Sequence, residues 1–205
     1  MDVTITGRGI ILGFTIAAAV GPIALLVIRR TLTAGRLVGM VSGVGVATAD
    51  GLYGAIAAFG LTAISDALVA LARPLGLVGG AVLVVLGLRT ARARPAPTVA
   101  REPTTKRGLA AAYLSMVGLT LTNPMTVLLF AAIVVSLGIR ESTVDAAMLS
   151  VGFFVGSALW WLLLVSTVAA LRGRLTPRLL RVVTVLSGLL IAAFGAITLL
   201  VAIRG

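Results

Sequence analysis

Residues 21–60 read GPIALLVIRRTLTAGRLVGMVSGVGVATADGLYGAIAAFG, and the fold follows from how this stretch divides. It opens with Gly21-Pro22 inside one apolar segment, turns at Arg29-Arg30, and runs through a second apolar segment to Gly60. Small residues recur as Gly35, Gly39, Gly43, Ala47 and Gly54, and Asp50 stands among them. At about 100° per residue, Asp50 falls within about 20° of Gly39 and Gly43 around the helix. A carboxylate set well inside an apolar span thus shares the face that another helix can approach most closely.

Outward from this stretch, the composition is that of an integral membrane protein. The 205 residues are 60% hydrophobic and 11% charged, against roughly 25% charged in soluble domains. Mean hydropathy is +1.17. Cysteine and histidine are both absent, which removes disulfides, thiolate or imidazole metal ligation, haem ligation by histidine and Ser–His chemistry. With one deep carboxylate, an intramembrane aspartyl pair is also unavailable. The inventory argues against an enzyme, a resident metal or a bound cofactor. The net charge of +11 is not a nucleic-acid signal, because the basic residues sit in short loops between apolar runs. The first run reads as a retained span rather than a cleaved leader: only Arg8 precedes it, and it continues past Ala17-Ala18-Ala19 to Arg29-Arg30.

Six spans fit the hydropathy, near 9–28, 37–60, 67–88, 109–138, 145–170 and 179–203, each close to the ~20 residues a bilayer crossing needs. The loops after spans 1, 3 and 5 hold 13 of the 17 basic residues, which places both termini outside the cytoplasm. Residues 89–108, RTARARPAPTVAREPTTKRG, form a basic, Pro-rich cytoplasmic linker between residues 1–88 and 109–205. Each of these halves carries three spans. Gly21-Pro22 in span 1 corresponds to Asn123-Pro124 in span 4, and the Gly35/Gly39/Gly43 series to Gly152 and Gly156 in span 5. Gly80 and Gly87 in span 3 match Gly188 and Gly195 in span 6. A three-span repeat must invert its second copy, so the expected fold is all-α, six transmembrane helices as two inverted three-helix repeats. In that architecture a substrate site sits near the midplane, at Pro-interrupted helices.

Asp50 is the first candidate site residue. A charged group at mid-helix costs about 2.5–3.5 kcal/mol on insertion scales, so it faces a cavity or a partner. No cation lies in the middle of any span to pair with it, which suits a group that exchanges a proton or binds a substrate ammonium. The alternative is a hydrogen-bonded carboxyl that only locks span 2 to a neighbour. Pro22 and Pro124 each remove a backbone N–H and free a carbonyl one turn back. The half-helices they start would point unsatisfied N–H groups at the midplane, where a carboxylate is well accommodated. Asn123 adds a side-chain donor and acceptor. Tyr53 and Thr48 lie within a turn of Asp50, and Trp160 shares a face with Gly152 and Gly156. Thr120 and Thr122 are positioned to satisfy carbonyls freed by Pro124.

Residues 21–61, through GRLVGMVSGVGVATAD, resemble the N-terminal signature of the LysE-type amino-acid exporters, the lysine exporter and homoserine/threonine efflux group. LTNPMTVLLFAAIVV, residues 121–135, resembles the Asn-Pro motif that opens their second half. Ala49 and Met125 depart from the Gly and Lys often found there. The resemblance implies a secondary exporter of amino acids or related small solutes in the cytoplasmic membrane, probed best at Gly21, Pro22, Asp50, Asn123 and Pro124. With the residue reading it yields a proton-coupled exporter whose substrate also meets Tyr53 and Trp160. A metal-cation exporter and a non-transporting membrane subunit are the alternatives. A homodimer is compatible with each.

Overall fold

The computed structural model describes residues 3–18, 21–59, 70–92, 105–123, 126, 127, 130, 143–172 and 176–204. These contain seven helices and no strand: α1 Val3–Ala17, α2 Pro22–Ala34, α3 Arg36–Ala58, α4 Ala72–Arg92, α5 Lys106–Leu121, α6 Thr143–Arg172 and α7 Pro177–Arg204. Four stretches within α3, α4, α6 and α7 are long and apolar enough to cross a membrane, and the bent pair α1/α2 makes a fifth candidate. At about 1.5 Å per residue, the 30 residues of α6 span more than the ~30 Å hydrocarbon core. Its ends therefore reach the interfaces, with Asp145 in the first turn and Arg172 in the last, each favourable for the helix dipole. Ile11, Val78, Leu114, Leu163 and Val201 are exposed apolar side chains around the outside, as a lipid-facing surface requires.

Span 1 is two helices rather than one. α1 and α2 are bent by 80° across the break. Pro22 is the first residue of α2, and Gly21 before it is extended, at φ −134° and ψ −172°. A proline cannot donate to the carbonyl four residues back and its ring collides with that carbonyl, while the preceding residue is pushed out of the helical region. α2 then passes straight through Arg29-Arg30, where the sequence reading placed a turn. Arg30 donates to Ser42 Oγ (3.0 Å), the Ala112 carbonyl (2.9 Å) and Ser115 Oγ (2.9 Å), and Arg29 to Thr90 Oγ1 (2.8 Å). With three such acceptors the Arg30 guanidinium finds its partners inside the protein, so the chain need not turn there. The turn comes at Gly35, whose φ of +100° strains any side-chain-bearing residue.

The second break is at Asn123. α5 ends at Leu121, and the Asn123 carbonyl accepts from Val127 N–H at 3.1 Å, as the Gly21 carbonyl does from Leu25 N–H at 3.3 Å. Pro124 and the remainder of the predicted fourth span lie largely outside the described residues, as do 60–69. Within the predicted linker, residues 89–92 continue α4 and 106–108 begin α5; 93–104 are outside the description.

Glycines set the close crossings. α1 meets α6 backbone to backbone: a Cβ on Gly9 would lie 3.0 Å from Gly152 Cα, and one on Gly152 would lie 2.6 Å from the Thr6 carbonyl. On α4 and α7, Gly80 faces Gly195 and Gly87 faces Gly188, with hypothetical Cβ atoms 2.6–3.0 Å from the opposing carbonyls. α3 packs on both α6 and α5, with Gly43 against Trp161, Gly54 against Phe153, and Gly45 against the Tyr113 carbonyl. Close approach at small residues is how helices associate where lipid supplies no hydrophobic drive. Gly35, read with Gly39 and Gly43 as a packing series, instead makes the turn.

Candidate substrate cavity

The break in span 1, the break at Asn123 and the Asp50 face of α3 converge on one cavity of about 260 Å³. Pro22, Ile23 and Ala24 bring the N-terminus of α2 to its wall, together with Gly21; α1 adds Ile16 and Ala17. α3 contributes Val46 and Asp50, α5 and the residues after it Thr120, Asn123 and Thr126, α6 Trp161, and α7 Phe194. The α2 N-terminus has no side-chain cap. The N–H groups of Ile23 and Ala24 have no intrahelical carbonyl to bond, and they carry the positive end of the helix dipole.

Asp50 is 4% exposed. Ser157 Oγ of α6 donates to its Oδ2 at 2.6 Å. Asp50 therefore does both things the sequence left as alternatives: it lines a cavity and it is tied to a neighbouring helix. One carboxylate oxygen is bonded to Ser157, and its second oxygen leaves capacity for another donor. Among the described residues no three Asp or Glu side chains come together. The cavity pairs a dipole end that favours an anion with a carboxylate that favours a cation, on otherwise neutral walls.

Of the residues expected at the site, Gly21, Pro22, Asp50 and Asn123 line the cavity, and Pro124 lies outside the described residues. Tyr53 and Trp160 are not on the wall. Tyr53 is 2% exposed, donates to the Leu121 carbonyl at 2.8 Å and stacks on Phe130 with centroids 5.1 Å apart. It thus serves one of the carbonyls left free at the end of α5. Trp160 packs edge-on against Phe14 at 5.4 Å. It does share the Gly152/Gly156 face, but that face is turned to α1. Trp161, one residue on and about 100° around the helix, reaches the cavity. Neither Tyr53 nor Thr48 bonds Asp50; Thr48 donates to the Val44 carbonyl and accepts from Tyr113. Thr122 bonds back to the Gly118 carbonyl at 2.8 Å, which is not the carbonyl four residues before Pro124, and the Thr120 hydroxyl makes no bond among the described residues.

Sequence reasoning missed Ser157 as the partner of Asp50 and Thr126, Trp161 and Phe194 at the cavity, and it gave Thr120 only a role toward the carbonyls freed by Pro124. Ser157 follows Gly156 directly, so a small polar residue beside a packing glycine was the available signal. For Phe194 there was none.

Comparisons with known proteins show the family. The family model described as LysE type translocator matches residues 14–202. A protein of Bacillus subtilis (strain 168) named "Putative amino acid efflux protein YcgF" is 29% identical over 192 residues, covering 91% of this chain and 90% of that protein. No solved structure matches the chain.

Proposed function

Because the chain belongs to the LysE type translocator family, a family of transporters rather than enzymes, we propose that it exports amino acids or related small solutes across the cytoplasmic membrane. The similarity to a protein named for amino acid efflux supports that substrate class. The observation that carries the reading is the joining of the uncapped α2 N-terminus and Asp50 on one small cavity. A zwitterion has one group for each: its carboxylate rests at Ile23 and Ala24, and its ammonium meets Asp50. The cavity, at about 260 Å³, is below the ~300–1,000 Å³ of sites that hold drug-sized ligands.

In this account Asp50 alternates between proton and substrate, which makes export proton-coupled. One inward charge contributes about 2.3 kcal/mol per 100 mV, enough to hold a useful gradient. The transport path is two inverted three-helix repeats, residues 1–88 and 109–205, rocking about a site near the midplane, with both termini extracytoplasmic. A shared offset supports the repeat across part of the chain, although Gly80 and Gly188 are 108 apart and Gly21 and Asn123 are 102 apart. Asp50 and Ser157 are 107 residues apart, and the same step relates Gly45 to Gly152, Thr6 to Tyr113, Phe14 to Leu121 and Tyr53 to Trp160. The contacts obey it reciprocally: Gly152 meets Thr6 as Gly45 meets Tyr113, and Trp160 meets Phe14 as Tyr53 meets Leu121. Such exchange of partners is the mark of a two-fold relation.

The test is efflux from cells preloaded with a panel of radiolabelled amino acids. Wild-type protein is expected to export one or a few, and Asp50→Asn to fall near background at equal membrane abundance. If Asp50→Asn exports at the wild-type rate with the same pH dependence, Asp50 has no such role.

A further inference from the structure

Among the described residues, four buried side-chain polar atoms lack a hydrogen-bond partner: Arg29 Nε, Thr120 Oγ1, Trp160 Nε1 and Trp161 Nε1. Thr120 and Trp161 belong to the wall of the Asp50 cavity. Thr120 is 1% and Trp161 4% exposed, so neither group is solvated from outside. Thr120 also has a local remedy that it does not take. The hydroxyls of Thr15, Thr31, Thr33, Thr48 and Thr122 each donate to the carbonyl four residues back. The Thr120 hydroxyl makes no such bond to the equivalent Met116 carbonyl, and a buried polar group left unpaired is costly.

The rest of the wall narrows what would pair with these groups. Ile16, Val46 and Phe194 are apolar, and Asp50 is the one ionisable side chain among the described lining residues. Once a ligand ammonium occupies Asp50, no counter-charge is left for a second cation, and no side-chain cation awaits a second carboxylate.

We propose that Thr120 and Trp161 are substrate-binding residues that set specificity, and that the cavity takes amino acids with uncharged side chains. The inference rests on the exporter reading above and deepens it. The indole N–H can only donate, so it takes an oxygen of the ligand. The Thr120 hydroxyl donates or accepts and completes the polar contacts. A lysine, arginine or glutamate side chain would be stripped of water against neutral walls, a penalty the uncharged side chains escape.

The experiment is efflux from proteoliposomes loaded with radiolabelled alanine, serine, leucine, lysine, arginine or glutamate. It compares wild type, Thr120→Val, Thr120→Ser and Trp161→Phe. Wild type is expected to export uncharged members and to leave lysine, arginine and glutamate at background. Thr120→Val and Trp161→Phe each raise KM about tenfold with kcat little changed, and Thr120→Ser keeps the wild-type KM. Preferred export of lysine, arginine or glutamate overturns the substrate class. Wild-type KM in Thr120→Val and Trp161→Phe overturns the binding roles, as does an equal loss in Thr120→Val and Thr120→Ser, which would report packing instead. Export of no amino acid by well-folded wild-type protein overturns the exporter reading itself, and this inference with it.

Discussion

Asp50 and Ser157 form a side-chain bond between α3 and α6 at the edge of the cavity. Ser157 is fully buried, so its removal leaves a carboxyl oxygen unpaired at a cost of about 1–3 kcal/mol. Ser157→Ala should therefore lower the melting temperature in detergent and weaken export, less completely than Asp50→Asn. A Ser157→Ala protein with unaltered melting and transport would remove the bond from the account. The carboxyl itself was legible in the sequence, because a charge inside an apolar span and its angular relation to Gly39 and Gly43 are local facts. Its partner was not. Which helix meets α3, and in what register, is fixed by packing far along the chain. The same limit explains the tryptophans: the face holding Gly152, Gly156 and Trp160 is real, but only its neighbour α1 decides that Trp161 sees the cavity.

At the scale of the elements, the breaks at Gly21-Pro22 and Asn123 were readable because proline acts on its own four-residue neighbourhood. The continuation of α2 past Arg29-Arg30 was not, since Ser42, Ala112 and Ser115 are brought to Arg30 by other helices. Pro22→Ala removes a residue that costs about 3 kcal/mol in a helix interior, so α1 and α2 should tend to merge and the α2 N-terminus should retreat from the cavity. Export should fall several-fold while the amount of inserted protein, followed by a fluorescent fusion, stays level. The glycine crossings give a paired prediction. A Cβ on Gly156 would press on the Ile10 carbonyl and lie 2.8 Å from Phe14 N, whereas Gly118 has nothing within 4 Å. Gly156→Ala should destabilise by about 1–3 kcal/mol. Gly118→Ala should be neutral or stabilising by up to about 1 kcal/mol. Thermal melts of the two purified variants decide this.

For the molecule as a whole, the proposal joins the distribution of basic residues and the 107-residue correspondence in one design, two halves of opposite orientation meeting at Asp50 and Ser157. Alkaline phosphatase fused after Arg204 should be active, and the same enzyme inserted after Arg94 inactive; the reverse pattern would invert the topology. The proposed repeat rests in the sequence on an order of motifs, which leaves its residue-level register open. In the proposed register Gly152 answers to Gly45, a pairing that the contacts with Tyr113 and Thr6 support. The central claim, that this cavity is where the exported amino acid binds, is tested most directly by using the absence of native cysteine. A cysteine placed by Thr126→Cys on the cavity wall is labelled with a thiol reagent, beside a Lys106→Cys control on the exposed start of α5. The account predicts that the exported amino acid slows labelling at Thr126→Cys but not at Lys106→Cys, and that Asp50→Asn abolishes the protection. Labelling of Thr126→Cys at the same rate with and without that amino acid would contradict it.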